Sequence, residues 1–286
     1  DDVIAGSPPL AFTFGLGGLV IFPLRFGAST YLIERASPTS LADAIDNDGV
    51  SVLFTAPTGY RTMLREGRGA SLSKLRIAVS AGEHLPIETF EAVERASGVR
   101  LFNGTGATEM LHVFISAAGV DIVPGTTGKA VPGYRATVLD DEGNEAPVGQ
   151  PGRLAVIGPT GCRYLDDERQ TVYVENGWNI TGDTYSRDEN GYFCFHARSD
   201  DMIVTAGYNV GAPEVEAAID THPDVVESAV VGRPDPEKGA IVNAFVVLQP
   251  GIAADEVTRE SIQAAIRPVL SPFKLPRRID FVDALP

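Results

Sequence analysis

Gly177-Trp-Asn-Ile-Thr-Gly-Asp183, followed by Arg198-Ser-Asp-Asp201 and Ala206-Gly-Tyr-Asn-Val210, marks the seam on which the reading of this chain turns. Downstream of it the pattern predicts a strand at 202–205 and a helix at 213–221 with Pro213 in its first turn. Strands at 225–232 and 240–248, a helix at 255–269 and a strand at 278–282 complete a β-α-β-β-α-β order, a small split-βαβ unit of α+β type. Upstream, residues 119–197 carry strand-like runs at 137–139, 153–157 and 192–196. Turn signals such as Asp140-Asp-Glu-Gly143 and Asp188-Glu-Asn-Gly191 separate them, which predicts a small, distorted β-barrel or sandwich.

Further upstream, strands and helices alternate. Strands are expected at 19–24, 30–33, 50–55, 75–80 and 100–103, and helices at 41–47, 59–65 and 87–97. The apolar stretch 12–26 is broken by Gly15, Gly17, Gly18, Pro23 and Arg25, so it reads as buried strand and loop. Such alternation implies a largely parallel sheet covered on both faces, with ligands bound beyond the carboxyl ends of the strands. Two loops fall there: Ser80-Ala-Gly-Glu-His84 and Asn103-Gly-Thr-Gly-Ala-Thr-Glu109. The expected fold class is α/β, divided into residues 1–118, 119–199 and 200–286.

The 286 residues have room for about two domains. A net charge of −15 argues against nucleic acid as the partner, because a phosphate backbone demands a basic face. It leaves room for a nucleotide met by a few local cations and Mg²⁺. No apolar run approaches the ~20 residues of a membrane span, and Asp1-Asp2 is the opposite of a basic signal region. Cys162 and Cys194 form neither a disulfide framework nor a metal spacing, so a reducing cytoplasm is the simplest setting.

Each motif has a plain alternative. The glycines of 103–109 allow close backbone approach to a ligand, Thr108 offers a hydroxyl to a phosphate, and Glu109 is a hard oxygen ligand suited to Mg²⁺. The same loop reads equally as an ordinary turn in which Glu109 caps a helix. Asp183 can accept from the two hydroxyls of a ribose, or can bond its own backbone in a turn after Gly182. Arg198 is a ligand-side cation or a solvated one. Together, in order, at strand ends and a seam, they point to a nucleotide site.

The chain resembles the adenylate-forming superfamily of acyl-CoA synthetases, luciferases and nonribosomal-peptide adenylation domains. Gly104-Thr-Gly-Ala-Thr-Glu109, Trp178-Asn-Ile-Thr-Gly-Asp183, the run from Ala197 to Glu216 and Glu227-Ser-Ala-Val-Val-Gly-Arg-Pro-Asp235 carry the likeness, which covers essentially the whole chain. Phe12-Thr-Phe-Gly-Leu-Gly17, Ser80-Ala-Gly-Glu-His-Leu-Pro86 and Thr108-Glu-Met-Leu-His112 are most similar to benzoate- and aminobenzoate-type CoA ligases. The resemblance implies an ATP-dependent ligase that forms an acyl-AMP from a carboxylic acid and passes the acyl group to CoA. A carrier-protein thiol in place of CoA and a non-catalytic nucleotide-binding module are its alternatives.

Residue by residue, the resemblance implies that Gly82, Glu83, His84, Asn103, Gly104 and Thr105 line the adenine site. Thr108 would touch the α-phosphate, Glu109 would hold Mg²⁺, and Asp183 with Arg198 would meet the ribose. Asp200 would be the hinge of a mobile C-terminal domain, and Ala206-Gly207 would border the pantetheine tunnel. Phe14, Thr105 and His112 would shape the acid pocket, and a homodimer is compatible with the pattern. Thr105 stands where the family usually has an aromatic residue. The family's phosphate loop would precede residue 1 and its catalytic lysine would follow Pro286, so the sequence is expected to be a fragment.

Overall fold

The computed structural model describes residues 2–199, 201–205, 207–235 and 238–285. By contacts the chain forms two compact units, Asp1–Thr181 with Tyr185–Phe195, and Gly182–Thr184 with His196–Pro286.

The first unit is built on a seven-stranded sheet. Its strands are β1 (Val3–Gly6), β2 (Ser29–Thr30), β3 (Val52–Thr55), β4 (Ile77–Ala81), β5 (Phe102–Gly106), β6 (Val113–Ser116) and β7 (Lys129–Ala130). They lie in the order β2-β1-β3-β4-β5-β6-β7. The pairs from β2 to β5 are parallel, with Ile4 beside Val52, Val52 beside Ile77 and Val79 beside Phe102. β6 and β7 close the edge antiparallel. Side chains alternate across such a sheet, and the core divides accordingly. Ile4, Val52 and Phe54 pack with Leu19 on one face, and Ala5 and Leu53 pack with Leu41, Tyr60 and Phe90 on the other.

The stretch 13–26 is helical, contrary to the strand expected at 19–24. It runs α1 (Thr13–Leu16), a π-helical turn at Gly17–Ile21, and α2 (Phe22–Phe26), which ends on Gly27 at φ 71°. The misreading has a physical cause: an apolar run does not by itself separate strand from helix. Burial here is helically one-sided, with Gly15, Gly17, Gly18 and Leu19 buried and Leu16, Ile21, Leu24 and Phe26 exposed. On the opposite face sit α3 (Pro38–Asn47), α4 (Pro57–Arg65), α5 (Gly69–Leu72) and α6 (Ile87–Ser97). α3 starts on a capping box in which Ser37 and Ser40 satisfy each other's backbone N–H groups.

A second, five-stranded sheet contains β8 (Arg135–Leu139), β9 (Gly152–Ile157), β10 (Val174–Glu175), β11 (Trp178–Arg187) and β12 (Phe193–Arg198). Its order is β10-β11-β9-β8, with β12 also on β11. Leu154, Val156, Tyr185 and Phe193 form its core with Met110 and Phe114. Thr181-Gly182-Asp183 lies inside β11, which corrects the turn considered above. Gly182, at φ 78°, lets the strand deviate without ending it, and its carbonyl accepts from Ser199 N at 2.8 Å.

The third sheet has β13 (Ile203–Thr205), β14 (Tyr208–Val210), β15 (Val225–Asp235), β16 (Gly239–Leu248) and β17 (Arg278–Phe281). β13 and β14 form a hairpin, β15 and β16 a long antiparallel pair, and β17 lies parallel to β16. Helices at Ala212–Asp220 and Glu256–Ile266 bury Val215, Ile219, Ile262 and Ile266 against it. No helix among the described residues is long and apolar enough to cross a membrane.

Candidate functional site

The loops after β1, β3, β4 and β5 leave the carboxyl ends of the parallel strands and converge on a cavity of about 390 Å³. Pro8 and Pro9 contribute from the first loop, Ala56 from the second, Gly82 and Glu83 from the third, and Ala107 and Thr108 from the fourth. Phe12, Phe14 and His112 form an aromatic wall. Glu83 is the one carboxylate among the described lining residues, and no lysine or arginine contributes.

Two backbone features shape the cavity. Gly82 sits at φ 89°, a region that suits glycine. A Cβ on Gly106 would lie 2.5 Å from the His112 carbonyl oxygen, so glycine permits the close approach of β5 to the turn before β6. In that turn Leu111 N donates to Thr108 O at 3.1 Å, and Leu111 adopts φ 73°. A leucine held in the left-handed region costs about 1–2 kcal/mol.

His112 is fixed on several sides. Nε2 lies 3.4 Å from the Phe14 carbonyl oxygen, and the ring meets Phe22 edge-on at 4.7 Å between centroids. A Cβ on Gly17 would lie 2.2 Å from His112 Cδ2 and 2.7 Å from Nε2, so the absence of a side chain there makes room for the imidazole. Burial lowers the pKa of His112 from 6.5, with the Phe14 carbonyl opposing in part. Phe14 in turn packs edge-on to Phe54 at 5.7 Å.

Glu109 accepts a 2.5 Å hydrogen bond from the Tyr164 hydroxyl. That bond, followed by burial, pushes the Tyr164 phenol up to about 12. Tyr164 is itself held by Tyr173 edge-on at 5.6 Å and by the Arg169 guanidinium 4.6 Å over its ring. Glu83 accepts from Thr58 Oγ1 at 2.6 Å. His84 stacks on Phe195 at 5.3 Å, Asn103 Nδ2 donates to Thr126 O at 3.2 Å, and Thr105 shares a 2.6 Å bond with the Tyr185 hydroxyl. Gly104 is buried beneath Val113. The cavity therefore gathers Phe14, Gly82, Glu83, Thr108 and His112, whereas His84, Asn103, Gly104, Thr105 and Glu109 are not among its described lining residues.

In the other unit, Arg198 Nη1 lies 3.4 Å from Asp183 Oδ1, with the Arg198 side chain 53% exposed and that of Asp183 17%. Gly207, at φ 83°, forms the turn between β13 and β14. Asp200 and Ala206 lie outside the described residues.

Tyr164, Tyr185, Thr58 and Pro8-Pro9 were not anticipated from the sequence. Prolines directly after the short apolar run Val3–Gly6 are a strand-end signal that was open to reading. Tyr164 gives no local signal, since 55 residues separate it from Glu109. The Glu109 carboxylate is of the donor type that Mg²⁺ takes alongside substrate phosphates and waters, and one of its oxygens accepts from Tyr164. No group of three or more metal-type ligands occurs among the described residues.

The family described as AMP-binding enzyme matches residues 1–163, and its C-terminal domain matches residues 214–286. The chain belongs to the AMP-binding enzyme family. Within this family, the benzoate–CoA ligase of Thauera aromatica is 37% identical over 295 residues, covering 100% of this chain and 55% of the relative. The mitochondrial acyl-coenzyme A synthetase ACSM3 of Rattus norvegicus is 36% identical, covering 100% and 51%. A crystal structure of an anthranilate CoA ligase with anthranoyl-AMP superposes with a TM-score of 0.92 at 35% identity, covering 100% of this chain and 57% of that one. The chain spans about half the length of the curated relatives it matches. Membership accounts for the α/β architecture and the separate third sheet.

Proposed function

We propose that the protein is an ATP-dependent acid–CoA ligase acting on an aromatic acid of the benzoate or 2-aminobenzoate type. One observation carries this reading: polar groups of three strand-end loops and the aromatic wall of Phe12, Phe14 and His112 face one cavity. The aromatic wall suits an apolar acid and the Thr108 hydroxyl can donate to a phosphate oxygen, and the names of the relatives agree with that pairing.

The acid's carboxylate oxygen attacks the α-phosphorus of ATP, a phosphorus–oxygen bond breaks, and pyrophosphate leaves. The thiol sulfur of CoA then attacks the acyl carbon, loses its proton to solvent, and AMP departs. The protein's contribution is positioning and charge stabilisation. Thr108 donates to the α-phosphate, while Gly82, Glu83, His84, Asn103, Gly104 and Thr105 form the adenine side. Asp183 accepts from the ribose hydroxyls with Arg198 beside it, and Gly207 borders the pantetheine. Glu109 would hold Mg²⁺, which would supply neutralisation of phosphate charge.

The same proposal divides the chain at 118 and 199 and makes Asp200 the pivot between half-reactions. A reducing cytoplasm suits Cys162 and Cys194, which are not disulfide-bonded. The test is pyrophosphate release and thioester formation by the full-length protein with benzoate, aminobenzoates, hydroxybenzoates and short fatty acids. Acid-dependent release with the aromatic acids is expected. No release with any acid from a folded protein would remove the ligase reading.

A further inference from the structure

The imidazole of His112 has two nitrogens in different surroundings. Nε2 faces the Phe14 carbonyl oxygen at 3.4 Å. A carbonyl oxygen only accepts, so Nε2 carries the proton. Burial disfavours the imidazolium, so the ring is neutral near physiological pH. In a neutral ring protonated at Nε2, Nδ1 carries a lone pair and can only accept.

The contacts also orient the ring. The Cδ2–Nε2 edge lies against Gly17, where a Cβ would meet Cδ2 at 2.2 Å and Nε2 at 2.7 Å. Phe22 meets the ring edge-on. The Cε1–Nδ1 edge is therefore turned away from Gly17, on a residue that lines the cavity. Among the described residues, Nδ1 takes part in no hydrogen bond. The cavity's hydroxyls on Ser7, Thr13 and Thr108 make no hydrogen bond to it, and Phe12, Phe14 and Val113 have none to offer. A ligand that covers Nδ1 without donating to it strands an acceptor, whereas a ligand that donates to it does not.

We infer that His112 is a specificity-determining residue whose Nδ1 selects a ring-bearing acid carrying a hydrogen-bond donor, an amino or hydroxyl group, over the isosteric acid without one. This rests on the ligase reading above and names the substrate class within it. Gly17 and the Phe14 carbonyl act as positioning elements, fixing which nitrogen faces the acid.

The test compares each of 2-, 3- and 4-aminobenzoate with its methylbenzoate isostere, by kcat/KM for pyrophosphate release in the full-length protein. At least one amino acid of the three pairs is expected to exceed its methyl partner by about tenfold or more. In His112→Phe, which keeps a ring and removes the acceptor, that ratio is expected to fall to about one. A wild-type ratio near one in all three pairs would overturn the inference, and this arm needs no variant to fold. A ratio that survives His112→Phe would overturn it as well. Both outcomes leave the ligase reading standing, whereas absence of release with all six acids removes that reading and this inference together.

Discussion

The cavity at the end of the first sheet and the Asp183–Arg198 pair of the other compact unit each present polar groups suited to a ligand, but they hold them differently. In the cavity, packing fixes position: His112 lies against Gly17, Phe22 and the Phe14 carbonyl, and nearby Glu109 is tied to Tyr164. In the pair, Arg198 Nη1 approaches Asp183 Oδ1 at 3.4 Å, and the arginine side chain is more than half exposed. An ion pair with one partner so solvated contributes about 0–1 kcal/mol. Residues around the cavity are thus set before a ligand arrives, and their substitution should cost stability and turnover together. The Asp183–Arg198 pair should report mainly on nucleotide binding.

The largest expected effect is at Glu109. Glu109→Ala should lower acid-dependent ATP–pyrophosphate exchange by about 100-fold or more, since one charge-stabilising group at a transferring phosphoryl is worth that much. A loss under about tenfold at saturating Mg²⁺ would detach Glu109 from the metal. Gly17→Ala comes next. Overpacking against the imidazole should destabilise the fold by about 1–3 kcal/mol in urea unfolding and raise the KM for the acid. Unchanged values would mean that His112 moves freely and would dissolve the contrast drawn above.

Asp183→Ala should raise the KM for ATP by about tenfold, the scale of one lost hydrogen bond to a charged group. It should shift the urea midpoint less than Gly17→Ala does. The smallest effect is in pH. Burial holds the His112 pKa below 6.5 in the folded chain, and His196 is lowered for the same first cause. The unfolded chain therefore binds more protons just below pH 6.5, and stability falls as pH drops through that window. His112→Phe should make the fall between about pH 7.5 and 5.5 shallower, with the His196 share remaining.

Legibility in the sequence followed how locally each feature is determined. The helix at 87–97 was readable to the residue because its amphipathic run starts behind Pro86 and stops at Gly98, which adopts φ 72°. Stretch 13–26 was not, because the apolar residues that touch the sheet and those exposed outside alternate with a helical period that glycines obscure. Strand β11 hid behind Gly177 and Gly182, which look like turn residues and instead bound and bend a strand. Around the cavity, Phe14, Gly82, Glu83, Thr108 and His112 were nameable because they stand in or beside glycine-marked segments. Tyr164 and Tyr185 were not, because their hydrogen bonds to Glu109 and Thr105 span 55 and 80 residues.

The contact between Gly17 and His112 also constrains how this family member can diverge. A side chain at 17 and an imidazole at 112 compete for one volume, so the two positions are epistatic: the fitness of a change at one depends on the residue at the other. A larger residue at 17 requires a smaller one at 112, or a repacked Phe22. Paired sampling of 17 and 112 would reach packings that successive single substitutions cross only through destabilised intermediates.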